Sequence, residues 1–274
     1  MGVEKATITV KICTWNMRRA TKKSDASWEL LLEIDPDIAL LQEVNSIPDD
    51  VASHYSILQR KATGKTGKPQ LFSTAILVRG SIDEEITLSS SWGWVNEELQ
   101  RFTGNLVAAV ISLNSGERFR AMSVYSPAWP IDRKRLEGVD VSKVKLKDNP
   151  DVWVTELVWA ALCDEERDGV PWIVAGDLNS SVTFDTLWGN KPRGNQEIQD
   201  RMTALGFVEC LLFAQGKLTP TFMNTTGEKI IHQMDHLFIP EKLSTRLSSC
   251  ITGDALRVFK GSLSDHLPVI ATLE

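Results

Sequence analysis

Short runs of apolar, β-forming residues recur along the chain, and each stops on a carboxylate, an amide, a phenol or an imidazole. Ser264-Asp265-His266 opens the last of them, residues 267–273, whose residue types make a strand. A carboxylate beside an imidazole at a strand end can hold a metal ion, move a proton or cap an edge. Upstream, a strand over residues 7–15 delivers Asn16, and the buried run 38–41 delivers Gln42 and Glu43. The run 118–125 ends on Tyr125, residues 172–175 lead into Gly176-Asp177-Leu178-Asn179, and the run 230–239 carries Asp235. One polar terminus would be a plain cap; this many place chemically capable groups along one edge of the sheets.

The remaining elements leave little room for a second domain. Trp28, Leu31 and Leu32 have helical spacing over 28–34, and the helix stops ahead of Asp35-Pro36-Asp37. Strands are expected at 55–59, 73–79 and 82–88; Trp92-Gly93-Trp94 then interrupts the pattern. Residues 106–113 and 118–125 read as a hairpin around Asn114-Ser115-Gly116. Helices are expected over 152–163, packing Trp153, Leu157 and Ala160, and over 198–205, closed by Gly206. No repeat, low-complexity tract or long linker divides the 274 residues. The expectation is one domain, 1–274, with a two-sheet core flanked by helices.

A net charge of −6 argues against a bulk basic footprint for nucleic acid. It does not exclude such a substrate, because the local field decides and a bound divalent cation reverses its sign. The four cysteines lie far apart without C-x-x-C spacing, which disfavours a zinc site and points to buried free thiols in a reducing cytoplasm. The N-terminus has no long apolar stretch, so neither a signal peptide nor a membrane span is expected.

Taken together and in order, Thr14-Trp15-Asn16, Leu41-Gln42-Glu43, Gly176-Asp177-Leu178-Asn179, Met234-Asp235-His236 and Ser264-Asp265-His266 resemble the motifs of the endonuclease/exonuclease/phosphatase superfamily, the deoxyribonuclease I-like proteins. The resemblance spans residues 12–272. It implies an α/β (α+β) four-layer sandwich, two packed mixed β-sheets flanked by helices, and a phosphoric-ester hydrolase. By the same resemblance Glu43, Asn16 and Asp265 bind the metal, Mg²⁺ or Mn²⁺, which suits hard oxygen donors. Asp177 orients or deprotonates the attacking water, and Asn179 and Tyr125 hydrogen-bond the phosphate. His266 pairs with Asp235, a carboxylate that fixes the imidazole tautomer and favours its protonated form. Asp177 also fits an Asx-turn, and Asn16 and Tyr125 fit turn or core polar groups. His54 and His232 read as ordinary surface or core histidines. Two departures concern the substrate: Gln233 stands where arginine is frequent, and no asparagine follows Pro127. His236 takes the place of a usual tyrosine.

Substrate choice should lie in loops. The basic, glycine-rich segment 60–68, with Lys65 and Lys68, can track a nucleic-acid backbone or be a solvated loop, and the basic run 133–147 has the same two readings. Of nine tryptophans, Trp92, Trp94, Trp129 and Trp188 fall in loops; Trp129 and Phe222 are the first choices for stacking on a base or sugar. The leading expectation is a metal-dependent nuclease acting on DNA or RNA, with DNA preferred and no obligate protein partner. The alternatives are a phosphatase or phosphodiesterase for a small or lipid head-group phosphate, and a non-catalytic binding protein.

Overall fold

Alternation along the strands sorts side chains onto two faces, and that sorting builds the layers. The structure is a computed structural model describing residues 8–164, 169–187, 193–224 and 229–274. The chain first lays down β1 (Val10–Ala20), β2 (Ile38–Val44), β3 (Ser56–Thr63) and β4 (Pro69–Val78) in one sheet. It crosses to a second sheet for β5 (Gly80–Glu85), β6 (Leu106–Leu113), β7 (Arg118–Tyr125), β8 (Trp172–Asp177) and β9 (Phe207–Glu209). A small hairpin, β10 (Phe222–Asn224) with β11 (Lys229–His232), precedes β12 (Asp235–Pro240), which rejoins the second sheet. Finally β13 (Leu247–Thr252) and β14 (Val269–Leu273) return to the first. Each main sheet has six strands, ordered β13-β14-β1-β2-β4-β3 and β5-β6-β7-β8-β12-β9, and each mixes parallel and antiparallel pairs.

Val10 and Ile12 of β1 face Ile173 and Ala175 of β8 across the central core, while Cys13 and Trp15 point outward. On the outer face of the first sheet lies α1 (Asp25–Ile34), seated by Trp28 and Leu31; the short α2 (Asp49–Ala52) adds Val51. The outer face of the second sheet is covered by α3 (Gly93–Arg101) and α4 (Val154–Cys163). Beyond the four-residue α5 (Phe184–Leu187), α6 (Asn195–Ala204) adds Met202 to that layer, and α7 (Cys210–Gln215) follows β9. The result is the expected α/β sandwich of two packed mixed sheets between helices. Among the described residues no helix is long and apolar enough to cross a membrane.

Several local expectations needed correction. The Trp92-Gly93-Trp94 interruption is the start of α3, with Trp92 as N-cap and Val95 and Leu99 buried against the sheet. The run 230–239 is two strands, because Gln233 and Met234 break the pairing between β11 and β12. β3 and β4 extend far into the basic segment, leaving a tight tip where the Gly67 amide donates to the Gly64 carbonyl.

Register places the strand ends. Asn16 pairs across from Gln42 in the parallel β1–β2 ladder. In the other sheet Asp177 lies opposite Tyr125 on one side and Asp235 on the other. Gly176 permits this: a Cβ there would stand 1.9 Å from the Val124 carbonyl oxygen.

Glu156, on the first turn of α4, is fully buried. Its Oε2 accepts from the Trp153 amide at 3.1 Å and the Thr155 hydroxyl at 3.0 Å. Burial nevertheless pushes its pKa up to about 7 from an ordinary 4.5. The folded chain therefore holds this proton more tightly than the unfolded one, so the contribution to stability is full below pH 4.5, declines towards pH 7 and stays lost above. Glu156→Gln should gain on the wild type by up to about 3 kcal/mol between pH 5 and pH 8, measured by urea unfolding. Parallel stability curves for the two proteins would refute this.

Candidate active site

The two sheets meet at the edge where these strands end, and one imidazole joins them. His266 precedes β14 of the first sheet, and Asp177 and Asp235 belong to the second. His266 Nδ1 lies 2.9 Å from Asp235 Oδ2 and 3.1 Å from Oδ1, and its Nε2 stands 3.9 Å from Asp177 Oδ2. Burial opposes a charge on the ring, but the two carboxylates prevail and raise its pKa to about 10. Burial likewise pushes the Asp177 carboxyl up, against the pull of the His266 charge. Asp177, Asp235 and His266 offer ligand atoms within 4.8 Å of one another, a set that could hold a metal ion only with the imidazole unprotonated.

Asp177 is held by amides. Asn16 Nδ2 donates to its Oδ2 at 3.0 Å, Asn179 Nδ2 to the same oxygen at 3.1 Å, and the Asn179 backbone N–H to Oδ1 at 2.9 Å. That last bond is the Asx-turn, so the turn geometry and the site geometry coexist in one residue. Asn179 sits at φ 47°. Arg18, Arg19 and Glu43 also have positive φ, so four of the six such non-glycine residues among those described border the site. Backbone strain collects where side chains must be aimed rather than merely packed.

Glu43 forms the other half. Its pKa is raised by burial and pulled back by His266, Arg19 and a hydrogen bond from Asn16. The Tyr125 hydroxyl is hydrogen-bonded to Glu43, and burial beside that carboxylate keeps the phenol protonated. The Arg19 guanidinium lies 3.8 Å from Glu43 and stacks over Phe72, whose ring meets Tyr125 edge-on at 5.1 Å. Arg18 approaches Asp265 at 3.9 Å. Glu43 and Asp265 are hard oxygen donors of the kind a divalent cation takes, and Arg18 and Arg19 stand against them here.

Of the residues expected in the site, Asn16, Glu43, Tyr125, Asp177, Asn179, Asp235, Asp265 and His266 are brought together. Phe222 joins them, its ring centroid 4.8 Å from that of His266. Trp129 and Lys65 line a separate basic cleft that also contains Arg133 and Lys134, and Lys68 is exposed at the β3–β4 tip. Within the basic run, Arg135 is committed to the buried Glu98 at 2.7 Å. His232 is a buried histidine, its Nδ1 2.7 Å from the Thr183 hydroxyl, and Trp188 lies outside the described residues.

Sequence reasoning missed the supports. The Thr221 hydroxyl donates to Asp235 Oδ2 at 2.7 Å and accepts the Met234 and Asp235 amides at 3.0 and 3.1 Å. Trp15 Nε1 donates to the His266 carbonyl at 2.8 Å, and the Ser264 hydroxyl bridges the Asn16 carbonyl and the His266 amide. Gln42 donates to Ser123 of the opposite sheet at 3.0 Å. His236 donates from Nε2 to the Ser180 carbonyl at 3.0 Å, while its Nδ1 meets Gln233 Nε2 at 3.3 Å. Gln233, which stands where arginine is frequent, and His236, which replaces a usual tyrosine, thus contact each other. Nothing near Thr219-Pro220-Thr221-Phe222 in the sequence signals this role, since Asp235 lies 14 positions away.

With this geometry in place, comparison assigns the class. The chain belongs to the Endonuclease/Exonuclease/phosphatase family, whose model matches residues 13–266. Similar solved structures include an AP endonuclease from Archaeoglobus fulgidus, at 18% identity and a TM-score of 0.69 over 97% of this chain and 99% of that one. A 3′ phosphatase from Neisseria bound to product DNA hairpin is 17% identical, with a TM-score of 0.65 over 97% and 99%. A 3′-5′ exonuclease from Neisseria meningitidis is 18% identical, at 0.64 over 97% and 100%. A search of curated protein sequences finds no match.

Removing the Thr221 hydroxyl strands two buried amides and takes one of two donors from Asp235 Oδ2. Thr221→Val should lower stability by about 2–3 kcal/mol, and Thr221→Ser, which keeps the hydroxyl, should recover most of it. Thermal unfolding of the three proteins checks this; equal losses in both variants would trace the effect to packing.

Proposed function

We propose that the chain is a divalent-cation-dependent phosphodiesterase that hydrolyses nucleic-acid phosphodiester bonds, DNA in the first place and RNA in the second. The observation that carries this reading is the Asp235–His266–Asp177 line with Glu43 and Tyr125 beside it. A phosphodiester is an anion attacked by water, and hydrolysis needs a base, donors to the phosphate oxygens and a Lewis acid. Asp177, aimed by Asn16 and Asn179, takes a proton from water as the water oxygen bonds to phosphorus and the bond to the leaving sugar oxygen breaks. Asp235 holds His266 Nδ1, which leaves the charged ring to donate from Nε2 to a non-bridging oxygen. Asn179 and Tyr125 supply further donors. Glu43 and Asp265, with Asn16, would hold Mg²⁺ or Mn²⁺, and the cation would offset charge developing on the phosphate. Lys65, Lys68 and Trp129 offer a route for the rest of the strand. The similar structures named as an AP endonuclease, a 3′ phosphatase bound to product DNA hairpin and a 3′-5′ exonuclease support a polymer substrate. The free thiols Cys13, Cys210 and Cys250, all buried, suit a reducing cytoplasm.

A second reading, hydrolysis of a small phosphate ester, draws on the net charge of −6 and on Arg135 being spent on Glu98. Incubation with plasmid, single strands, RNA and small phosphate esters, with Mg²⁺, Mn²⁺ or EDTA, decides between them. Polymer cleavage should need the cation, and Asp177→Asn and His266→Ala should each lose roughly 10²-fold or more in kcat/KM. Phosphate release from small esters alone supports the second reading, and unchanged cleavage in EDTA removes the cation from the scheme.

A further inference from the structure

Tyr125 carries its phenol at a point where the sheet stops holding it. The β6–β7 ladder ends at the Leu106–Val124 pair, one residue short of Tyr125. On the other side, the ladder to β8 ends with the Tyr125–Asp177 pair. A donor at the last position of a strand needs something else to fix its main chain. A misplacement of about 1 Å at a reacting group can cost about 10²-fold in rate.

Asn105 supplies that support. It is fully buried, in the turn between α3 and β6. Its backbone carbonyl accepts the Tyr125 N–H at 2.7 Å, and its Nδ2 donates to the Tyr125 carbonyl at 3.3 Å. The same side chain reaches a second element, where its Oδ1 accepts the Thr63 N–H at 2.7 Å. Thr63 closes β3 just past an irregularity in the pairing with β4. A backbone N–H can only donate and a carbonyl can only accept, so one orientation of the amide serves both partners. A single buried side chain thus satisfies main-chain groups at the irregular ends of two strands.

The turn is seated for this role. A Cβ on Gly104 would stand 1.7 Å from the Lys61 carbonyl oxygen, so only glycine lets the segment lie this close to β3. From β4 of the same hairpin, the Phe72 ring meets that of Tyr125 edge-on, and Ala62, Phe72 and Tyr125 form one buried cluster. Main chain and ring of Tyr125 are therefore both braced against the β3–β4 hairpin, whose tip carries Lys65 and Lys68.

We propose that Asn105 is a positioning residue: it fixes the Tyr125 phenol beside Glu43 and joins it to the base of the basic hairpin, so that phenol and hairpin keep one geometry towards the phosphate. The inference rests on the phosphodiesterase reading, in which Tyr125 donates to the phosphate, and deepens it by naming what holds that donor. A residue that only stabilised the fold would have the same effect on rate whatever stood at position 125.

A double-mutant cycle with Tyr125→Phe tests this. Turnover of a single-stranded oligonucleotide and of bis(p-nitrophenyl) phosphate is measured with Mg²⁺ or Mn²⁺, well below the unfolding temperature of each variant. Asn105→Ala should lower kcat about tenfold in the wild type. In the Tyr125→Phe background the loss should shrink to about twofold or less, since the donor it positions is already gone. Equal losses in the two backgrounds, or no loss in the first, overturn the proposal and leave the phosphodiesterase reading intact. If Asn105→Ala does not fold, Asn105→Ser, whose side chain is too short to reach both main-chain groups, takes its place in the cycle. Cleavage of neither substrate defeats the phosphodiesterase reading instead, and the positioning is then judged by NMR. The chain has two tyrosines, Tyr55 and Tyr125, so labelling tyrosine Cζ with ¹³C gives two signals, told apart by Tyr125→Phe. The Asn105 variant should shift the Tyr125 signal, leave that of Tyr55 in place and speed hydrogen exchange of the Thr63 amide. An unmoved Tyr125 signal overturns the proposal.

Discussion

The architecture turns on one imidazole caught between two carboxylates that come from the other sheet. His266 is carried by the first sheet, and Asp235 and Asp177 by the second. A buried cation between buried anions is tolerable only when each charge has its partner in place, since desolvation alone would expel them. The Trp15 indole, the Ser264 hydroxyl and the Thr221 hydroxyl therefore serve less as glue than as locators. They hold backbone on both sides of the gap so that the charges meet.

The same requirement explains the strained residues. Asn179, two residues past β8, and Glu43, at the irregular end of β2, have positive φ, conformations that cost free energy and persist only where the surroundings fix them. In each case the backbone turns a side chain towards the common pocket. Arg18 and Arg19 share the conformation and bring guanidinium groups up to Asp265 and Glu43. The local field at the pocket thus differs from the acidic average of the chain, which is why net charge says little about the substrate.

How far the sequence was readable follows from the range of each interaction. The strand termini were legible because an apolar run ending on Asn16, Glu43 or Asp177 is a local pattern, and the ordered blocks tied them to a family. Helix α3 was not, because Trp92, Gly93 and Trp94 are poor helix formers and only docking of Val95 and Leu99 on the sheet rescues them. The split between β11 and β12 was hidden because Gln233 and Met234 sit in an unbroken β-forming run. Thr221 looked like a turn residue; its value lies in a bond across 14 positions to Asp235. The basic run 133–147 looked like a phosphate track, yet Arg135 is half-buried and paired with the buried Glu98 of α3. Charge is visible in a sequence and its commitments are not.

β1 and β14 lie side by side although most of the chain separates them, and Asn16 and His266 arrive from these two distant segments. During synthesis, then, the segment bearing Asn16 emerges long before its counterpart exists. A ribosome-bound intermediate has the outer helices and most of both sheets to fold with, yet no imidazole to set between Asp235 and Asp177. The cluster is completed only when the segment bearing His266 docks, and a product terminated ahead of it would lack the group that joins the two sheets.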